Sequence, residues 1–346
     1  MGTEESPPVN GSAVEIDRAI DGDHLRFWAK ASDLILRIHA HYKDGAERGL
    51  AWHLDLKPGF APGTKSHDLR IPSISEIAGH PGMAYVPQTA WYHGRERETR
   101  RNPSAYWIDL RPPTVDEYRP IARGLQRSGR LQAENSFLLQ SEERSAAVDT
   151  VGLGQLRDLN KNLGDIFGVI DQASSSTVSA PSDIVVGLNK LTCPTCPAPM
   201  TRHEAELYCS SQKKRVPTDL EWELAVRGVD GRVYPWGNQF DDKRANVPGL
   251  PEKDGPSPSL KPVDAYKNEL SPFGLIDTVG NAGDWVENEI GSYDRVYMGA
   301  TYRFNPEDAT AFRMLPVTDS DALVREITAR CVAPAGEKPR GRPPEP

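Results

Sequence analysis

Two stretches of the chain decide how it folds. Residues 215–238 read RVPTDLEWELAVRGVDGRVYPWGN, and residues 262–285 read PVDAYKNELSPFGLIDTVGNAGDW. From Gly228 to Gly291 the chain is dense in Gly, Pro, Asp and Asn, and neither helical nor strand periodicity lasts for more than a few residues. Because such a segment lacks regular structure, we expect buried tryptophans or bound metal ions to hold it.

Short helices and strands surround these stretches. Thr201 with Glu204, and Thr218 with Glu221, form two capping boxes, so two short helices are predicted to begin there. Upstream, short apolar runs bounded by Gly, Pro or charged residues predict strands, and longer periodic segments predict helices. The strands fall at 83–87, 91–94 and 105–109, and the helices at 114–126 and 150–168.

The N-terminal part of the chain has a different pattern. Between residues 14 and 45, apolar side chains recur at a spacing of three and four, including Leu34, Ile38 and Tyr42, which is typical of an amphipathic helix. We expect this helix to dock on the main domain, with a free interaction helix as the alternative. Residues 1–81 are therefore interpreted as an N-terminal extension.

Composition limits the function. The 346 residues include 30 Pro and 29 Gly, which fits one large, turn-rich domain with appended segments. The net charge of -8 disfavours a general phosphate-binding surface. No run of about 18 to 20 apolar residues and no signal-peptide pattern is present, so neither a membrane span nor a leader is predicted. Four cysteines are too few for a disulfide framework, and we expect a cytoplasmic location.

The two stretches quoted above resemble the signature segments of the formylglycine-generating enzyme family. Other segments are similar to that family in the same order: YWIDLRPPTVDEY at 106–118, HEAELYC at 203–209, RVYMGATYRF at 295–304 and TARCV at 328–332. The resemblance spans about residues 82–333, so we assign residues 82–335 to this domain and residues 336–346 to a disordered Pro/Arg tail. It implies a compact α+β fold related to C-type lectins, low in regular structure and stabilised by calcium.

The resemblance also implies roles for single residues. Four tryptophans are expected to be core or pocket-lining residues: Trp107, Trp222, Trp236 and Trp285. The first calcium ion would be held by Asn246, the carbonyl of Val247, Asp254 and the carbonyl of Pro256. The second would be held by residues at Asp277, Gly280, Ala282 and Asp284. The family often has Asn at the first of these last four positions and Glu at the last, but Asp remains an oxygen donor, as hard cations require. The alternative is that both aspartates only cap turns.

The family's own chemistry depends on two cysteines, five residues apart, that bind copper(I), a soft ion that prefers thiolates. Alignment through GATY places Phe304 and Ala309 at these positions, so neither formylglycine formation nor copper binding is expected. A second branch of the family binds iron through an HxxxHxE motif, which this chain lacks. His39 and His41 lie two apart on the predicted helix and would point to different faces, so iron is not expected either.

Two smaller motifs leave alternatives open. Cys193 and Cys196, with His203 and Cys209 beyond, could supply four zinc ligands, but the spacing is unusual, and a structural Cys209 with a zinc-free CPTC loop is favoured. PRGRP at 339–343 is similar to an AT-hook core, which binds the minor groove of A·T-rich DNA. A disordered, proline-rich terminus is the favoured interpretation, and nucleic acid is otherwise not expected.

These features predict a family member that makes no formylglycine and binds an unknown protein or small ligand on a calcium-stabilised scaffold. The predicted pocket is formed by Trp285, Thr301, Tyr302, Phe304 and Arg313, with the arginine as an anion or carboxylate anchor. One alternative is a diverged oxidase or oxygenase that recruits iron or copper through histidines of the N-terminal region. Another is a DNA-associated subunit that acts through the tail.

Overall fold

A computed structural model describes residues 34–41, 47–54, 71–143, 193–247, 259–289, 295–317 and 326–336. The strands in this part of the chain are β1 (Leu34–His41), β2 (Glu47–Leu54), β3 (Met83–Val86), β4 (Ala90–His93), β5 (Glu98–Arg101), β6 (Tyr106–Asp109), β7 (Gly283–Val286), β8 (Val296–Met298), β9 (Met314–Pro316), β10 (Ile327–Thr328) and β11 (Val332–Pro334). The helices are α1 (Ile74–Gly79), α2 (Val115–Arg127), α3 (Arg202–Ser211) and α4 (Asp219–Arg227). Residues 137–143 are also helical.

The strands form three small sheets. One has the order β1-β2-β4-β5, the second β10-β7-β8-β9 and the third β11-β6-β3. In the second sheet β7 pairs antiparallel with β8 and parallel with β10. This sheet places the end of β8, the start of β7 and the start of β10 side by side, which positions the candidate site described below.

Capping boxes determine where the helices begin. Thr201 and Thr218 each accept a hydrogen bond from the backbone N–H of the glutamate three residues on, and each glutamate side chain accepts one in return. Both predicted boxes are thereby confirmed. Thr114 forms the same arrangement at the start of α2, which confirms the helix predicted at 114–126. The helix predicted at 150–168 lies outside the described residues.

The strands predicted at 83–87, 91–94 and 105–109 are confirmed as β3, β4 and β6, with boundaries that differ by a residue or two. The prediction of helix was wrong for residues 34–41, which form β1 and pair antiparallel with β2. The sequence LILRIHAH carries branched and apolar residues at every second position as well as at helical spacing, and pairing with β2 selects the strand. The rest of the predicted helix lies outside the described residues, and β2 pairs with β4 through His53 and Ala90.

Large aromatic rings hold the irregular segments, as expected. Trp107, Trp222 and Trp285 are 2%, 0% and 3% exposed, whereas Trp236 is half-buried against the same core as Trp222. Burial of rings of this size stabilises a domain that has little regular backbone pairing. None of the helices in the described ranges is long and apolar enough to cross a membrane.

The four cysteines form two disulfides, Cys193–Cys196 and Cys209–Cys331. The second joins α3 to the residue before β11. The expectation that the cysteines form no disulfide framework was therefore wrong. Zinc at Cys193 and Cys196 would need thiolates, so it could bind there only after this disulfide is reduced. Disulfides persist mainly in oxidising compartments, so the cysteines no longer support the predicted cytoplasmic location.

Candidate functional site

The loop between β8 and β9 carries Phe304 and Ala309, the two positions predicted to match the family's reactive cysteines. β8 ends at Met298, and Gly299 follows with φ +78°, a left-handed conformation that glycine adopts without strain. A Cβ at Gly299 would lie 2.5 Å from the carbonyl oxygen of Thr278. This close approach fixes the start of the loop against the segment that leads into β7.

Neither aligned position offers sulfur. Phe304 is half-buried and packs against the core cluster that contains Trp222, and Ala309 is fully buried. All four cysteines of the chain are joined in disulfides, so none is a free thiol. The two aligned positions therefore offer none of the thiolates that copper(I) prefers.

A carboxylate that the sequence did not single out lies at this loop. Glu326, just before β10, accepts a hydrogen bond from Thr301 Oγ1 (2.7 Å), and its other oxygen lies 2.9 Å from Arg303 Nε. Burial, and then the negative charge of Glu326, raise the pKa of Tyr297 to about 12. Glu326 thus links the start of β10 to Thr301 and Arg303 of the loop.

Two arginines of the loop lie over aromatic rings. The guanidinium of Arg303 is 5.6 Å from the centroid of Tyr302, and that of Arg313 is 5.9 Å from the centroid of Phe304. Arg313 also forms an ion pair with Asp308 at 3.0 Å. An anion bound by Arg313 would therefore have to compete with a carboxylate that is already in place.

Trp285 does not line this surface. Its ring is 3% exposed, its indole N–H donates to the carbonyl of Met200 (2.7 Å), and the ring packs in the core cluster with Tyr297 at 6.4 Å. Placing Trp285 in the pocket was wrong, because the indole faces the interior from β7. The other predicted pocket residues lie on the loop itself: Thr301, Tyr302, Phe304 and Arg313.

Three buried carboxyl groups, which we call the acidic cluster, lie next to this loop. They are Glu269, Asp277 and Asp284, and each is at most 4% exposed. Burial raises the pKa of Glu269 to about 7. Burial, followed by the negative charge of Glu269, raises the pKa of Asp277 well above its usual value. The backbone links the cluster to the loop, since the N–H of Tyr302 donates to the carbonyl of Asn281 (3.0 Å).

Arg330 is the guanidinium that faces the acidic cluster. Its Nε donates to Asp284 Oδ2 (2.8 Å), which also accepts the indole N–H of Trp222 (2.8 Å). The other N–H groups of Arg330 donate to the backbone carbonyls of Asp109, Ile276 and Asp277. Asp284 Oδ1 is buried and has no hydrogen-bond partner among the described residues. A buried acceptor without a partner is costly, so this atom is suited to a cation.

The second set of predicted calcium ligands contains two buried carboxyl groups, Asp277 and Asp284. Asp277 and Asp284 are close enough for the charge of one to raise the pKa of the other. Gly280, at φ +81°, passes so near Asn246 that a Cβ would lie 2.7 Å from its carbonyl oxygen. Carbonyl oxygens of the turn from 277 to 282 are the further ligands that the prediction names. The described residues contain no group of three His, Cys, Asp or Glu side chains arranged to hold a metal ion by themselves, so an ion here would also need those carbonyls.

The first set of predicted calcium ligands is described only in part. Asp254 and Pro256 lie outside the described residues, and Val247 ends a described range. The side-chain amide of Asn246 donates to the carbonyl of Ser259 and to Asn281 Oδ1, both at 2.9 Å. Asn246 therefore already ties two segments together, and the calcium ion predicted there stays a prediction.

Known proteins resemble parts of this chain. Residues 196–320 match the Sulfatase-modifying factor enzyme 1-like domain. The chain is 34% identical over 152 residues to "Inactive C-alpha-formylglycine-generating enzyme 2" of Bos taurus, which covers 40% of this chain and 50% of that protein. It is 32% identical over 95 residues to "Formylglycine-generating enzyme" of Bos taurus, 25% of each chain. The chain spans about half the length of the inactive relatives that it matches, 50% of the protein from Bos taurus and 47% of that from Mus musculus.

Among solved structures, the chain is similar to the crystal structure of CarF and to PvdO from Pseudomonas aeruginosa. Sequence identity is 14% in both cases, and the TM-scores are 0.44 for CarF and 0.43 for PvdO. Each match covers 73% of this chain, together with 98% of CarF and 94% of PvdO. The match over residues 196–320 and the mixed helices and strands with modest regular structure confirm the expected fold class. The molecule is thus an α+β protein in which residues 196–320 match a sulfatase-modifying factor domain. This segment is similar to proteins of the formylglycine-generating enzyme family.

Proposed function

We propose that this chain is a family member that makes no formylglycine and acts as a calcium-stabilised module for binding a protein or small ligand. One observation carries the first part: all four cysteines are in disulfides, and Phe304 and Ala309 stand at the aligned reactive positions. The nucleophile and copper ligand of the known chemistry is a thiolate, which a phenyl ring and a methyl group cannot replace.

The relatives support the same conclusion. Two of the matching proteins, from Bos taurus and Mus musculus, carry the name of an inactive formylglycine-generating enzyme, and they are 34% and 33% identical to this chain in the matched regions. Folds often outlast the activity they once carried, because the scaffold and the reactive groups depend on different residues. Loss of chemistry in this chain would therefore leave a stable scaffold with exposed loops.

Calcium would be held by Asp277 and Asp284 together with the carbonyls of Gly280 and Ala282. The support is the unpartnered Oδ1 of Asp284 and the surplus of buried carboxylates around one guanidinium. A bound cation would keep these carboxylates ionised and would hold the irregular segments in place. The ion would thus stabilise the scaffold rather than take part in chemistry.

Binding would use the exposed part of the loop, which we call the 301–313 surface and define by Tyr302, Arg303, Phe304, Asp308 and Arg313. The side chains of Arg303 and Arg313 are 62% and 38% exposed, and both lie over aromatic rings. Arginine and tyrosine side chains are enriched at the centres of protein interfaces. Because Glu326 and Asp308 fix the two guanidinium groups, little side-chain freedom would be lost on binding.

A photo-crosslinking amino acid in place of Tyr302 tests the binding role. In extracts of the native cell, the full chain should form a discrete adduct, and the adduct should disappear in a variant with Arg303→Ala and Arg313→Ala. Arg100→Ala is the matched control, because Arg100 is also exposed and paired with a glutamate, but lies on β5. An adduct of unchanged yield in the double variant would contradict binding through this surface.

A further inference from the structure

The two disulfides differ in their exposure to solvent. Cys209 and Cys331 are both fully buried, and 122 residues separate them in sequence. Cys193 is partly exposed, whereas Cys196, three residues later, is only 2% exposed. The residues between them are Pro194 and Thr195, so the pair forms a CPTC loop with one accessible and one buried sulfur.

Backbone hydrogen bonds hold the CPTC loop independently of its sulfur–sulfur bond. The first N–H groups of α2, on Val115 and Asp116, donate to the carbonyls of Cys196 and Pro194, both at 3.0 Å. The N–H of Val263 donates to the carbonyl of Thr195, also at 3.0 Å. Since three carbonyls of the loop are tied to other segments, opening the disulfide leaves the loop in place. The two sulfurs of the reduced form would therefore stay near each other.

We propose that the CPTC loop is a thiol–disulfide exchange site that oxidises a peptide or protein carrying two thiols. The pattern of one accessible and one buried sulfur, with two residues between them on a fixed loop, suits one sulfur that a partner's thiolate attacks and one that leaves. This role is independent of the proposed binding function and of the 301–313 surface. The buried Cys209–Cys331 pair, in contrast, is structural.

The exchange proceeds in two balanced steps. A thiolate of the partner attacks Sγ of Cys193, the accessible sulfur, and Cys196 leaves as a thiolate that takes up a proton. The second thiolate of the partner then attacks the partner's own sulfur in the mixed disulfide, and Cys193 leaves and is protonated. The partner loses two electrons and two protons, which the loop gains. A small-molecule disulfide, such as oxidised glutathione, restores the loop by the reverse exchange.

Native-state reduction provides the first test. The folded full chain is exposed to increasing dithiothreitol, alkylated and mapped by mass spectrometry. Cys193 and Cys196 should become alkylated at a reductant concentration at least about tenfold lower than Cys209 and Cys331. Opening of both disulfides at the same concentration, or of neither before the protein unfolds, would overturn the proposal.

Single-cysteine variants provide the second test, with oxidised glutathione as the probe. Cys196→Ala leaves an accessible thiol at position 193, and Cys193→Ala leaves a buried thiol at position 196. The first variant should form a mixed disulfide at least about tenfold faster than the second. Equal rates would show that the two positions have no distinct roles and would overturn the proposal.

Stoichiometric oxidation of a reduced two-cysteine peptide, without oxygen, tests the reaction itself. Each molecule of the oxidised full chain should convert one molecule of peptide to its disulfide. The variant with Cys193→Ala and Cys196→Ala, which keeps the structural disulfide, should convert none. A peptide that stays reduced with the unmodified chain, or is oxidised equally by the variant, would refute the exchange role.

Discussion

The acidic cluster and the 301–313 surface lie side by side but respond to substitution in different ways. Asp284 of the acidic cluster and its partners Trp222 and Arg330 are at most 1% exposed and are joined by hydrogen bonds of 2.8 Å. On the 301–313 surface, charged side chains form ion pairs in contact with solvent. Removing one member of a buried charge network leaves its partner desolvated, whereas the exposed loop can change its side chains at little cost. A domain built in this way can lose its reactive groups and keep its fold.

The largest expected effect follows from breaking the buried pair. Asp284→Asn removes the carboxylate that pairs with Arg330 and should lower the free energy of unfolding by about 3–5 kcal/mol, because the buried guanidinium would lose its charged hydrogen-bond acceptor. Urea denaturation followed by tryptophan fluorescence measures the change. A control that replaces both members, Asp284→Leu with Arg330→Met, should recover part of the loss. A loss below about 1 kcal/mol for the single variant would show that the pair does not hold the scaffold.

Loss of the buried disulfide should destabilise the protein more than loss of the partly exposed one. Replacing Cys209 and Cys331 by alanine opens a link across 122 residues and should lower the free energy of unfolding by about 2–5 kcal/mol. Replacing Cys193 and Cys196 opens a link across three residues and should cost less, about 2 kcal/mol or below, because a short loop restricts the unfolded chain less. Denaturation curves of the two double variants check the order, and a reversed order would contradict it.

Calcium should stabilise the acidic cluster and leave the 301–313 surface unaffected. With free calcium at about 100 times its dissociation constant, the gain is about 2.7 kcal/mol, seen as a higher melting temperature than in chelator. Asp277→Asn removes one carboxylate and should reduce this gain. Asp308→Asn, on the exposed loop, is the matched control and should keep it. An unchanged melting temperature in calcium and in chelator would contradict the proposed ion.

The pKa of Glu269 makes stability depend on pH. Its value of about 7 in the folded protein lies above that of an unfolded glutamate, so the folded state binds the proton more tightly. Without calcium, the contribution of Glu269 to the free energy of unfolding should therefore be fully present below about pH 4.5. It should be lost as pH rises from there to about 7, a decrease on the order of 3 kcal/mol. Glu269→Gln keeps an acceptor for Thr278 and should flatten this slope. A slope of equal size in the variant would assign it to other groups.

The smallest effect is expected on the 301–313 surface. Arg313→Ala removes an ion pair whose two side chains are 38% and 43% exposed, and should change the free energy of unfolding by less than about 1 kcal/mol. The same urea titration used for Asp284→Asn provides the measurement. A loss as large as that of the buried pair would mean that the loop belongs to the scaffold.

What the sequence could predict follows from how far apart the interacting residues lie. The capping box at Thr218 and strands such as β6 depend on signals within a few neighbouring residues, and these predictions hold. The contact between Asp284 and Arg330, and the bond between Cys209 and Cys331, join residues 46 and 122 positions apart, which no local pattern indicates.

The errors have the same origin. Residues 34–41 fit a helical and a strand pattern equally, and their pairing with β2 decides between the two. Trp285 was predicted to line the pocket, but β7 turns its ring toward Met200, which lies 85 positions away in sequence. No sequence pattern indicated Glu326, since its contacts are with Thr301 and Arg303 of the loop between β8 and β9.

The claim that this chain keeps the fold but has lost the ability to make formylglycine is tested most directly by a formylglycine assay. The full chain is incubated with copper(I), oxygen and a cysteine-containing peptide that an active formylglycine-generating enzyme converts under the same conditions, and the aldehyde is measured by mass spectrometry. Because Phe304 and Ala309 stand at the positions predicted to match the reactive cysteines, and all four cysteines are paired in two disulfides, no aldehyde should form above the level without protein. Catalytic conversion of the peptide by the unmodified chain would contradict the proposed loss of activity.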